Sequence, residues 1–258
     1  MARGFEVTTG LVIQQGLFED SSTSKHKLGT RMQLADGRVF YYAKNTATTG
    51  VAGNAQECLP AVANHTNVNM TATYAVGATV VSIESGGTVA AVNQYREGWF
   101  FCTEGDGMGH AYKIKSNVAT SGSSGDNLVI TLYDPLRVGL TAGASSQGSA
   151  IYNPYYGLKI ATTEANNIMG VMNYIVTSAY YYWLQTWGPT VVLGSAAVST
   201  IGEPLTAHGT NGSVGYNFLA ITSQGDQTVR FPYAEVGTAL GQITVSAEYT
   251  PIFLRCSA

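Results

Sequence analysis

The run Gly105-Asp106-Gly107-Met108-Gly109 is the most suggestive of chemistry. Glycine-rich runs can wrap backbone N–H groups round a phosphate, but this one lacks the strand-to-helix setting and the Lys-Ser/Thr of a P-loop. A hairpin turn accounts for it. Glu104, Asp106 and His110 beside it could ligate a cation, yet oxygen ligands at that spacing arise by chance, and no metal is expected. His26, His65, His110 and His208 are scattered, without a His-x-x-x-His pair. No Gly-x-Ser-x-Gly elbow marks a nucleophile, and paired carboxylates for glycoside cleavage are not identifiable from one sequence. Cys58, Cys102 and Cys256 are odd in number and lack metal-ligand spacing, so three reduced, largely buried thiols are expected. No catalytic, metal or cofactor-binding residue is assigned, and the chain is not expected to be an enzyme.

Aromatic side chains are the more unusual resource. Tyr152, Tyr155, Tyr156, Tyr174, Tyr180, Tyr181, Tyr182, Trp183 and Trp187 fall within 36 residues. Tyr and Trp bury large areas while keeping a polar handle. Three uses compete: a sandwich core, a subunit interface and a sugar-stacking platform. Alternation along a strand sends Tyr180 and Tyr182 to one face and Tyr181 and Trp183 to the other. Both faces are then aromatic, and at least one should meet something other than water.

The elements that must carry these residues read as strands. Residues 30–34 and 38–43 flank Asp36-Gly37 and form a hairpin. Residues 19–27 are polar and irregular, and 45–54 read as a linker. Strands follow at 78–84, 88–92, 98–103, 111–115 and 128–133, separated by glycine turns. Further strands are expected at 168–176, 180–187, 191–193, 198–201, 229–231, 237–240 and 243–254, with Gly188-Pro189 stopping the second of these. Only 55–64 and 163–167 suggest short helical pieces. The expected fold is all-β: β-barrel or sandwich domains with an extended N-terminal arm and hairpin, and little helix. The expected division is an arm and hairpin at 1–54, a barrel or sandwich at 55–160 and a second barrel at 161–258.

Of 258 residues, 13 are basic and 16 acidic, 11% in all, against roughly 25% in ordinary soluble proteins. A hydrophobic content of 45% excludes a disordered tail. A net charge of −3 argues against nucleic acid as partner. The uncharged stretch 165–202 contains too many polar residues for a spanning helix, so no membrane segment is expected. The start Met-Ala-Arg-Gly-Phe-Glu has no apolar core of a signal peptide, so the chain is expected to be made in the cytoplasm. Between Gly139 and Val229 only Lys159, Glu164, Glu203 and Asp226 are charged. Such a surface is expected to be covered by other protein, which points to an assembly component. Segment 1–45 differs, with six basic and four acidic residues, so Lys25, Lys27, Arg31 and Arg38 are candidates for steering it to an acidic surface. The candidate interface set is therefore Lys25, Lys27, Arg31, Arg38, Tyr152, Tyr155, Tyr156, Tyr181, Trp183 and Trp187.

Several segments carry a resemblance: 28–40 (Leu-Gly-Thr-Arg-Met-Gln-Leu-Ala-Asp-Gly-Arg-Val-Phe), Asn93-Gln-Tyr-Arg-Glu-Gly98, Tyr112-Lys-Ile-Lys-Ser-Asn117 and Leu132-Tyr-Asp-Pro-Leu136. Tyr182-Trp-Leu-Gln-Thr-Trp-Gly-Pro189 and Phe253-Leu-Arg255 add to them. Together the chain resembles structural virion proteins of tailed bacteriophages. Its last hundred residues are similar to small β-barrel head-decoration proteins, through Ile201-Gly-Glu-Pro-Leu205 and Val236-Gly-Thr-Ala-Leu240. The resemblance leaves capsid, neck and tail positions open; with the sparse charge of 139–229, the leading expectation is a capsid decoration or cement protein on the virion surface. It would be a homotrimer bridging subunits of the major capsid protein and stabilising the head, with no cofactor. A receptor-binding, fibre or neck protein is the alternative, and a virion-associated hydrolase the third.

Overall fold

A computed structural model describes residues 12–123, 125–162, 167–195, 200–208, 211–216, 235–242 and 248–256. The expected strand at 229–231, half of that at 198–201, most of the expected helical piece at 163–167, and the start of the strand at 243–254 lie outside these residues.

The described residues form an all-β chain. Its strands are β1 Arg31–Gln33, β2 Val39–Lys44, β3 Ala55–Glu57, β4 Val68–Met70, β5 Val80–Glu84, β6 Trp99–Gly105, β7 Ala111–Asn117 and β8 Asn127–Leu132. They continue as β9 Gly143–Ile151, β10 Lys159–Ile160, β11 Ile168–Val171, β12 Tyr181–Leu193, β13 Pro204–Ala207, β14 Val214–Tyr216, β15 Glu235–Ala239 and β16 Tyr249–Arg255. One 3-10 turn spans Ala63–His65. Among the described residues no helix is long and apolar enough to cross a membrane.

The chain divides into two units rather than the three expected segments. Unit 2 is Pro60–Asn153, and unit 1 joins Met1–Leu59 to Pro154–Ala258. Segment 1–54 therefore belongs with the C-terminal strands, because β2 pairs along β12 from Tyr181↔Lys44 to Trp187↔Val39.

Unit 2 is a closed antiparallel barrel in the order β4-β5-β8-β7-β6-β9. Alternation fills it: Leu128, Ile130 and Leu132 of β8 point inward with Ile83, Phe100 and Ile114. β9 carries Gly, Ser, Ala and Gln, with too few β-branched residues to announce a strand. It pairs because Gly148 lets the Phe100 ring lie on its backbone; a Cβ there would sit 2.5 Å from the ring. The expected strand at 88–92 does not form. That segment runs beside Thr120, whose N–H donates to Ala90 O and whose hydroxyl accepts from Ala90 N–H.

Unit 1 is a ten-stranded sheet in the order β10-β3-β11-β12-β16-β15-β13-β14, with the β1–β2 hairpin added along β12. The sheet curls back on itself. Val214 bridges Gly194, Ala55 N–H donates to Gly212 O, and Gly212 N–H donates to Ala161 O. Val171, Val192, Leu205, Val214, Val236, Ile252 and Leu254 fill the interior. The expected helical piece at 55–64 opens instead as β3. The expected linker at 45–54 is packed: Asn45 is buried, and its Nδ2 donates to the carbonyls of Thr48, Val176 and Thr177.

Gly188-Pro189 does not end β12, which continues to Leu193 against β16. The reason is which way Pro189 faces. Pro251, opposite Val191, turns its carbonyl toward Leu240 and Gly241, and Leu193 N–H donates to Gly53 O. Residues 189, 191 and 193 thus point their backbone groups away from β16. The N–H that proline lacks would face an edge with no partner strand.

Candidate binding site

The aromatic residues singled out in the sequence meet chiefly where β2 lies against β12. Tyr182 and Leu184 pack on one face with Ala43, Leu158, Met172 and Val176. Trp183 packs on the other with Met32, Leu34, Phe40 and Tyr42. Both faces of this strand are covered by the chain's own side chains.

Trp183 is fully buried, edge-on to Tyr42 at 5.0 Å. It underlies the surface and does not form it. Tyr155 stacks on Tyr41 at 4.8 Å. The Lys44 ammonium lies 5.2 Å from the Tyr156 ring and 5.4 Å from that of Tyr181. Trp187 stands apart, edge-on to Phe253 at 5.5 Å. Tyr152 belongs to unit 2, where it accepts from Gln94 Nε2 and packs on Tyr95.

The basic residues divide. Arg38 is ion-paired with Asp36 at 2.8 Å, and Arg31 Nη1 donates to Gln33 Oε1. Lys25 and Lys27 are exposed. The arm that carries them is clamped from Gln15 onward. Gln15 Nε2 donates to Glu19 O and Tyr181 O, its Oε1 accepts from Tyr42 OH, and its carbonyl accepts from Trp183 Nε1. Asp20 accepts from Thr177 N–H and Glu19 O from Tyr174 OH.

The Gly105–Gly109 run is a turn whose amides are spent internally. The N–H groups of Met108, Gly109 and His110 donate to Gly105, Cys102 and Gly107 carbonyls. Asp106 accepts from Thr141 and His110 bonds Tyr112. Among the described residues no group of three His, Cys, Asp or Glu side chains could hold a metal ion. The cysteines are free thiols; burial pushes Cys102 up to about 11 and Cys256 up to about 12, which keeps both protonated and poor nucleophiles.

A cleft of about 410 Å³ opens where β12 outruns β2. Arg38 closes one end, Ala52 and Gly53 line another part, and Gln185, Pro189, Thr190 and Val191 supply the strand edge. Phe18, Val191 and Tyr249 are each about half exposed along it. Gly53 adopts φ +79°, and a Cβ there would lie 2.5 Å from the Tyr249 ring, so glycine is what allows that ring its place. Tyr249 OH then donates to Ala52 O at 3.1 Å.

Beneath lies a fixed amide pair. An irregularity between Gln185 and Trp187 shifts β12 against β2 and turns carbonyls out of register. Fully buried Gln185 serves them: its Nε2 donates to the carbonyls of Trp187, Gly188 and Pro189 at 3.2, 3.4 and 2.9 Å. Its Oε1 accepts from Asn173 Nδ2 at 2.6 Å, which leaves Asn173 Oδ1 without a donor. Val191 N–H and C=O face the cleft.

Phe18, Asn173, Gln185, Val191 and Tyr249 were not among the candidates from sequence. The one available signal was Gln185, a polar residue inside an otherwise aromatic strand. A larger hollow in unit 2, about 690 Å³, is lined by four glycines with Met70, Thr71, Asn127 and the carboxylates Glu84 and Asp126. Asp126 Oδ2 there is already taken by Ser121 and Ser123. Comparison with protein-family models, curated proteins and solved structures finds no match for this chain.

Proposed function

We propose that this chain is a non-enzymatic structural protein of a tailed-phage virion, of the decoration or cement kind. On that reading it sits on the capsid surface as a homo-oligomer, a trimer by expectation. It would bridge subunits of the major capsid protein and hold the closed shell against the pressure of packaged DNA.

The observation that carries the proposal is exposed apolar surface in a chain with so few charges. In unit 2, Val89, Val92 and Val118 are 61%, 65% and 58% exposed. Their segments lie side by side, joined by Asn93 N–H to Asn117 O and Thr120 N–H to Ala90 O. No charged residue occurs in 85–95 or 116–123. Exposed valines on adjoining segments that carry no charge of their own favour a protein–protein contact there. Many modest contacts would sum, because apolar burial contributes about 25 cal/mol per Å², less the costs of association.

Copy number tests the proposal. Quantitative mass spectrometry of purified particles should find the chain in hundreds of copies. A dozen or fewer would favour a neck, tail or receptor-binding position instead.

A further inference from the structure

We propose that the β12 cleft is a binding site for a neutral saccharide. Sugar recognition needs apolar rings for the C–H face of the pyranose and fixed polar groups for its hydroxyls. The cleft offers both. Phe18 and Tyr249 are half-exposed rings along it, and Tyr249 is held by Gly53 and Ala52. Val191 presents an N–H and a C=O at the strand edge, and Pro189 and Thr190 line the cleft beside it.

The strand edge at Val191 and the two rings are what a ligand would meet. Gln185 is fixed by three carbonyls and by Asn173 Nδ2, and Asn173 Oδ1 is itself buried, so this amide pair braces the floor of the cleft and does not contact a ligand. Arg38 is the one charged side chain of the lining, and Asp36 already pairs with it, so no strong field selects an anionic sugar. No acid–base pair converges on the cleft, so it would bind and not cleave.

An added peptide strand fits less well. Only Val191 turns both backbone groups into the gap, since Pro189 lacks an N–H and Leu193 N–H is bonded to Gly53. Two hydrogen bonds are few for strand addition. The saccharide site is independent of the decoration proposal, and either can fail alone.

The test is binding of the purified chain to immobilised neutral hexose and N-acetylhexosamine oligosaccharides. Hits would be quantified by calorimetry. Wild type should bind a neutral glycan in the micromolar to millimolar range. Tyr249→Ala and Phe18→Ala should each weaken binding at least tenfold, while Tyr249→Phe, which keeps the ring, should stay within a few fold. Thermal melts should show all three variants folded, with no more than the small loss expected for the bond of Tyr249 to Ala52 and the contact of Phe18 with Tyr174. Absence of any glycan binding by folded wild type overturns the proposal. So does binding that survives both alanine variants, binding confined to acidic sugars, or capture of an extended peptide in the cleft.

Discussion

The two units solve the same problem, closing a β-sheet, in different ways. Unit 2 is one continuous stretch whose six strands return on themselves and leave no unpaired edge. Unit 1 is assembled from both ends of the chain and leaves β12 exposed beyond Val39. Polar satisfaction follows the same division. In unit 2 the one buried side-chain atom without a hydrogen-bond partner among the described residues is Gln147 Oε1. In unit 1 such atoms occur on Asn54, Gln56, Glu57, Asn173 and Tyr182. Closure pairs the barrel's backbone groups, whereas unit 1 keeps a strand edge open and also holds most of the unpartnered buried side-chain atoms among the described residues.

The comparison can be broken first at Trp183. Trp183→Ala removes the largest fully buried side chain and the bond to Gln15, and should destabilise unit 1 by about 3–5 kcal/mol. The chain has three tryptophans, so in a Trp99→Phe background Trp187 remains to report unit 1 by fluorescence during denaturation. Unit 2, followed by hydrogen exchange at β7 and β8, should keep its protection. Equal loss in both units would show that they do not fold as separate cores.

Next in size is the ion pair of fully buried Glu57 with Lys159, 2.8 Å apart. Lys159→Ala leaves that carboxylate uncompensated. Because the lysine is about a third exposed, a loss of about 1–3 kcal/mol is expected, below that for a fully buried pair. The Glu57→Leu/Lys159→Met double variant should recover most of it in urea titrations.

A smaller effect sharpens the contrast through pH. Burial holds His65 of unit 2 below the ordinary imidazole value, and its bond to Thr88 O raises it less. The unfolded chain therefore takes up the proton first as pH falls. Stability from this group is complete above about pH 6.5 and is lost below it, at no more than about 1.4 kcal/mol per pH unit. His65→Gln should flatten unit 2's denaturation midpoints between pH 7.5 and 5.5.

Smallest is a pair of tyrosines with opposite signs. Tyr95 OH bonds His65 Nδ1 at 2.6 Å, so Tyr95→Phe should cost about 1 kcal/mol. Tyr182 OH is buried with no partner, so Tyr182→Phe should be neutral or stabilise by up to about 1 kcal/mol. The difference between the two melting shifts is the readout.

Much of this was legible wherever local chemistry decides the structure. Asp36-Gly37 between alternating runs announced the β1–β2 hairpin, and glycine turns announced β6, β7 and β8. β9 was hidden because its small residues pair only through what packs on them. β12 was expected to stop at Pro189 because the free edge that tolerates a proline is visible only in three dimensions. Tyr155, Tyr181 and Trp183 were legible as a cluster from their spacing. The cleft was not, since Phe18, Asn173 and Tyr249 come from distant segments joined by pairing that no local pattern encodes. The arm from Gln15 looked free for the same reason. Whether Lys25 and Lys27 steer the chain to an acidic surface is tested with Lys25→Ala/Lys27→Ala, which leaves the Gln15 clamp intact.

The central claim, that the chain is a shell-binding structural protein, is tested most directly by titrating purified protein onto DNA-filled heads that lack it. Binding should saturate at hundreds of copies per head and weaken at least tenfold in Val92→Lys/Val118→Lys. No saturable binding by folded wild type, or a valine-patch variant that binds as wild type does, would contradict the account.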